Sequence, residues 1–194
     1  MRVAAALCGA LLAAAVSLPA AAHEVVYETT LSGANESPAN DSLGAGFVRV
    51  SVDLDVLSMH VEASFSGLGG SSSAAHIHCC LVEGGPLNVG VATQLPSFSG
   101  FPLDVTAGSY DQTFDLALAS SYNPAFVTAA GSLGNALNAL LLGLGGDAAY
   151  FNIHTTQFPG GEIRGILHAV PEPRVAGLLL LALGALGSAA RARR

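Results

Sequence analysis

The chain has 194 residues, and its seven basic residues are all arginine, against 14 acidic ones, for a net charge of −7 with histidine neutral. Between residues 23 and 169 the only basic residues are Arg49 and Arg164, facing 13 carboxylates, so this span carries −11. Such a surface repels phosphate backbones, which excludes nucleic acid as a partner; it suits cations, and it keeps an exported protein soluble.

Residues 1–22 open on Met1-Arg2-Val3, continue as a short Ala/Leu/Val run to Leu18, and end on Pro19-Ala20-Ala21-Ala22. A basic start, an apolar stretch too short to favour a membrane span and a small-residue break make a secretory signal peptide, expected as a signal helix. Cleavage after Ala22 would leave His23 as a free N-terminus able to chelate copper through its amine and ring. Cys8 departs with this segment, leaving Cys79 and Cys80 in an oxidising compartment.

Residues 23–169 have the length of one ordinary domain. Residues 25–31 read as a strand, and the Gly-, Asn- and Ser-rich stretch 32–46 as a loop. Residues 47–54 and 57–65 alternate apolar and polar, the mark of half-buried strands, and the turn at Asp55-Val56 joins them as a hairpin. After a loop over 67–73, further strands are expected at 74–81, 110–118, 148–154 and 161–168. Between the last four, Asn123-Pro124 looks like an N-cap followed by a first-turn proline, and Leu133, Leu137, Leu140, Leu141 and Leu144 recur at helical spacing. One or two short helices over 124–144 should cover an end of the core. Many short strands with Gly-rich connections point to an all-β antiparallel sandwich or barrel.

Residues 170–194 contain Val170-Pro171-Glu172-Pro173, an uncharged apolar stretch over 175–190, and Arg191-Ala192-Arg193-Arg194. The apolar stretch is marginal in length for a transmembrane helix, and the terminal arginines would stay cytoplasmic. The three parts together resemble the PEP-CTERM sorting signal. That resemblance implies handling by an exosortase after export: a precursor held transiently in the inner membrane, then delivered to the cell surface or the extracellular matrix, where exopolysaccharide or matrix components are the expected partners.

Two motifs carry candidate chemistry: Ala75-His76-Ile77-His78-Cys79-Cys80, and Asn152-Ile153-His154-Thr155 followed by Pro159-Gly160-Gly161-Glu162-Ile163-Arg164-Gly165. His76 and His78 are two apart on a strand, so both leave the same face. His154 is the natural third imidazole from a neighbouring strand, and three neutral imidazoles make a nitrogen site suited to copper or zinc. The alternative is a hydrogen-bonded polar layer shared with Asn152, Glu162 and Arg164. Arg164, and with it Glu162, serves either an anion or a structural ion pair. Cys79 and Cys80 have three arrangements open: a vicinal disulfide, two thiols extending the histidine pair into a soft metal site, or pairing with another chain. His60 and His168 read as surface residues. No nucleophile–base pattern defines a hydrolase, and Gly160-Gly161 reads as a turn rather than a phosphate loop.

These motifs, with Leu31-Ser32-Gly33-Ala34-Asn35-Glu36-Ser37-Pro38 at the start, resemble the CHRD domain over nearly all of 25–167. The resemblance implies an immunoglobulin-like antiparallel β-sandwich, distantly similar to copper–zinc superoxide dismutase. In that enzyme a His-x-His strand and a later histidine hold copper and a late arginine guides the anion; His76, His78, His154 and Arg164 occur here in that order. A bridging histidine and a zinc loop have no counterpart, since Leu81-Val82-Glu83-Gly84-Gly85-Pro86 holds neither His nor Asp, so a dinuclear site is not expected. The leading expectation is a non-enzymatic surface or matrix binding module, and the alternative is a mononuclear copper or zinc protein.

Overall fold

The computed structural model describes residues 24–85 and 87–171. The expected signal peptide, His23 and the expected C-terminal membrane helix fall outside the described residues.

Three nine-residue strands, β1 (Glu24–Ser32), β2 (Ala45–Asp53) and β3 (Ser58–Ser66), pair antiparallel in sequence order, and β5 (Gly108–Asp115) pairs with β3. The alternation read in the sequence sets their faces. Val48, Val50, Val52, Met59, Val61, Ala63 and Phe65 are buried, while Arg49 and Glu62, opposite one another, point outward. A second group is formed by β4 (Ser72–Cys79), β6 (Ala149–Thr155) and β7 (Ile163–Ile166), again antiparallel.

All strands belong to one sheet in the order β4-β6-β7-β1-β2-β3-β5, with β8 (His168–Ala169) returning to β1. The junction between the two groups is thin: β1 and β7 share the single pair Ser32↔Arg164. There Gly165 lets the backbones close up, because a side chain would strike Thr29 Oγ1 and the Thr30 carbonyl. The sheet folds over at this corner into a β-sandwich, and its outer edges meet again where Ser72 N donates to Val105 O (2.8 Å) and Asp104 N to Ser72 O (2.8 Å). Ala75, Ile77, Phe151, Ile153 and Ile163 from one layer and the valines of β2 and β3 from the other form one apolar core. Phe98 sits across it, with its ring 5.2 Å from Phe114 and 5.8 Å from Phe151.

The insertion is helical, as the leucine spacing predicts. The Asn123 side chain caps α1 (Pro124–Ala130) by accepting from Ala125 N, and Gly131, at φ 84°, ends it in the left-handed region. Ser132 caps α2 (Leu133–Gly145), whose Ala136, Leu140 and Leu144 are buried. Cys79 and Cys80 are bonded to each other, and this vicinal disulfide packs on α2 at Gly143, where any side chain would collide with Cys79 Sγ. Among the described residues, no single helix is long and apolar enough to cross a membrane; α1 and α2 meet at 96°.

Candidate metal centre

The register of β4, β6 and β7 decides what shares a face. His76 lies opposite Asn152, which lies opposite Arg164; His78 lies opposite Tyr150, and His154 opposite Ala74. Directly opposed residues project to the same side of a sheet, so His76, His78, Tyr150, Asn152, His154 and Arg164 occupy one face. Ile77, Phe151 and Ile153 fill the core from the other. The face with the histidines is not open to water: His76 is 5 % and His78 8 % exposed, because the loops carrying Val89, Pro96 and Pro159 fold across it.

Those loops also orient the rings. His76 Nε2 donates to Pro96 O (2.7 Å), His78 Nδ1 to Val89 O (2.8 Å) and His154 Nδ1 to Pro159 O (3.0 Å). A carbonyl only accepts, so each of these nitrogens carries the ring's proton. The remaining nitrogens, His76 Nδ1, His78 Nε2 and His154 Nε2, are then bare acceptors. All three are buried without a hydrogen-bond partner, and the three residues' ligand atoms lie within 4.8 Å of one another. The ring centroids are 5.3–5.8 Å apart.

Electrostatics keep the rings neutral. Burial outweighs the stabilising carbonyl bonds and brings His76 and His78 down to about 4, with His154 lowered for the same reason. Three buried lone pairs on neighbouring rings are costly unless something accepts them. An ion that prefers imidazole nitrogen does so, and backbone carbonyls on the far nitrogens are the usual supporting shell of such ligands.

Arg164 stands at the rim. Its Nε donates to Asn35 O (2.6 Å) and its Nη1 to Leu87 O (3.1 Å) and Asn88 Oδ1 (2.8 Å). Its guanidinium carbon lies 4.7 Å from the Tyr150 ring centroid, and that ring stacks on His78 at 4.7 Å. Its carboxylate neighbour is Glu36, at 3.7 Å, and not Glu162.

Glu162 does something else: its buried carboxylate accepts from Ser42 Oγ, Thr155 Oγ1, Gly69 N and Gly70 N. These donors hold its carboxyl below the usual range against the opposing effect of burial. It ties two loops to β6 and is structural.

Cys79 lies one residue past His78 and turns to the core side with Ile77, so the disulfide is no part of the histidine face. His60 is on the outer face of the other layer, 2.7 Å from Asp111, and His168 is exposed beside Asp147 at 3.0 Å. Sequence reasoning passed over Glu36 and weighed Asn152 only as part of a polar layer. Both sit in the patch with Arg164, and the one available signal was the alternation that places Asn152 on the same face as His154.

No curated protein and no solved structure matches the chain. The CHRD domain family matches residues 27–167, across every strand described above but the start of β1 and the short β8. The chain belongs to the CHRD family.

Proposed function

We propose that this CHRD protein is an exported, non-enzymatic surface or matrix module whose β-sandwich holds one copper or zinc ion on His76, His78 and His154. The observation that carries the metal reading is the set of three buried, unpartnered nitrogens on three rings whose ligand atoms lie within 4.8 Å of one another, each ring fixed by a carbonyl on its other nitrogen. Neutral imidazole donors suit copper and zinc, and the ion would supply the positive charge that three lone pairs need. His76, His78 and His154 bind and orient; Tyr150, stacked on His78, and the overlying loops keep water away. The site is mononuclear in this reading. The other cluster of ligand-type side chains among the described residues, His60, Glu62 and Asp111, is on the opposite layer.

Export rests on the two ends of the chain, whose residues carry a signal-peptide pattern and a PEP-CTERM-like tail. Secretion machinery and an exosortase are the implied handlers, the inner membrane is a transient station, and exopolysaccharide or matrix components are the partners at the destination.

Metal content of the protein purified from the periplasm tests the first part. The expected result is one equivalent of copper or zinc per chain; none, even after reconstitution, leaves a plain binding module. Replacement of Pro171, Glu172 and Pro173 by alanine tests the second, with uncut precursor retained in the membrane as the expected outcome and normal release as the contrary one.

A further inference from the structure

Five buried side-chain polar atoms among the described residues lack a hydrogen-bond partner, and all five lie in this one patch. A metal ion accounts for the three histidine nitrogens. It leaves Glu36 Oε1 and Asn152 Oδ1, two acceptors with nothing to accept. They converge over Gly161, each 2.8 Å from the point a Cβ there would occupy, with the Asn152 Nδ2 donor 2.6 Å from it. Arg164 does not resolve the conflict, because its closest bonds go to Asn35 O, Asn88 Oδ1 and Leu87 O, and it stands 3.7 Å from Glu36. Two arrangements do: the Asn152 amide turned over, with Nδ2 donating to Glu36 Oε1, or a proton on Glu36 that turns one acceptor into a donor; only the second has a proton to release when a cation enters.

We propose that Glu36 is the charge-balancing group of the histidine site: it holds a proton while the site is empty and releases it to solvent when a cation enters, so that metal uptake and proton release are coupled. This rests on the metal reading above. Three donors without charge do not offset an incoming cation, and a nearby carboxylate is the compensation the protein itself can supply. The groups that face the Glu36 carboxyl are Arg164 from β7, Asn152 and Tyr150 from β6, and the Ser37 amide of its own loop. Glu36 is the one carboxylate among them. Burial dominates over the attraction of Arg164 and raises its carboxyl to about 7.

Asn152 is the cross-strand neighbour of both His76 and Arg164, which puts Glu36 roughly 5–10 Å from the rings, one to two strand spacings. A dication about 8 Å away, at an effective dielectric near 20, favours the ionised carboxylate on the order of a thousandfold. The proton held near neutrality is therefore expelled at any pH above about 5.

The test is zinc chloride titrated into the full chain in weakly buffered solution at pH 6, with proton release counted. The expected result is close to one proton per zinc in the native chain. Glu36→Gln should bind zinc while releasing close to none. In the native chain the apparent zinc affinity should climb about tenfold per pH unit between 5 and 7, and that climb should be absent from Glu36→Gln. An infrared difference spectrum of the unaltered chain provides a readout independent of the variant's folding: zinc should remove the carbonyl band of a buried carboxylic acid. Zinc binding with no proton released, with equal release from Glu36→Gln, or without loss of that band overturns the proposal and leaves the metal site standing. Failure to bind zinc or copper at all overturns both.

Discussion

The two layers of the sandwich each carry a trio of ligand-type side chains on their outer face, and they behave in opposite ways. On β3 and β5, His60, Glu62 and Asp111 are accessible, His60 bonds Asp111, and Glu62 lies 3.9 Å from Arg49. Their charges are met by neighbours and water, and a hollow taking in Arg49, Glu62 and Asp111 opens over them. On β4 and β6, His76, His78 and His154 are covered by loops, hold no carboxylate among them, and keep three nitrogens with no partner. Residue type and strand spacing are alike on the two faces; burial and unmet bonding capacity separate them. A cluster becomes a site when the fold shields it from water and withholds an internal partner.

The largest effect expected from breaking this contrast is on metal affinity. A His76→Ala, His78→Ala double variant should lose copper and zinc binding by at least about a thousandfold, since two of three ligands go. His60→Ala with Asp111→Asn should leave both affinities unchanged in the same equilibrium titrations.

Glu162 sharpens the contrast from the structural side, as a buried carboxylate whose four donors are all internal. Glu162→Gln keeps the shape but turns one acceptor into a donor facing donors, and should cost about 2–4 kcal/mol in urea unfolding, with metal affinity following only the folded fraction.

Acid should separate the two faces in the metal-free protein. His76 and His78 are lowered from 6.5 to about 4 by burial. The unfolded chain therefore binds more protons over that interval, and the stability these rings contribute, present in full above 6.5, is lost as pH falls from about 6.5 to about 4. Glu36, raised from 4.5 to about 7, acts in the opposite direction between those values. With two strongly shifted histidines against one carboxyl, the net expectation is a loss on the order of a few kcal/mol between pH 6.5 and 4, read from thermal or urea midpoints.

Smaller effects test the supports. Gly143→Ala drives a methyl into Cys79 Sγ and should destabilise by about 1–3 kcal/mol. His60→Ala removes a surface pair and should change stability by under about 0.5 kcal/mol.

Much of the layer carrying the metal centre was legible because period-two alternation is a local signal. Ile77 between His76 and His78, and Ile153 between Asn152 and His154, announce which face is core once a sheet is assumed. The helical insertion was legible for the same reason, through Asn123, Pro124 and leucines at helical spacing. What was not legible is set by long-range closure. His154 was a candidate third imidazole from its motif, but the pairing of β4 with β6 rather than with its sequence neighbour β5, which brings it to the pair, is encoded by no local pattern. Glu36 lies 128 residues before Arg164 in a loop that reads as polar surface, and only the corner at Ser32↔Arg164 brings it inside. The carbonyls of Val89, Pro96 and Pro159 are backbone groups, which side-chain motifs cannot reveal.

The central claim is that His76, His78 and His154 share one ion through specified nitrogens. It is tested most directly by following the imidazole nitrogens by NMR while zinc is added to the full chain. The expected result is a shift at His76 Nδ1, His78 Nε2 and His154 Nε2 that saturates at one equivalent, with the opposite nitrogens still protonated and His60 and His168 unmoved. Zinc that perturbs His60 or His168 first, or leaves the three buried rings unchanged at saturation, would contradict it.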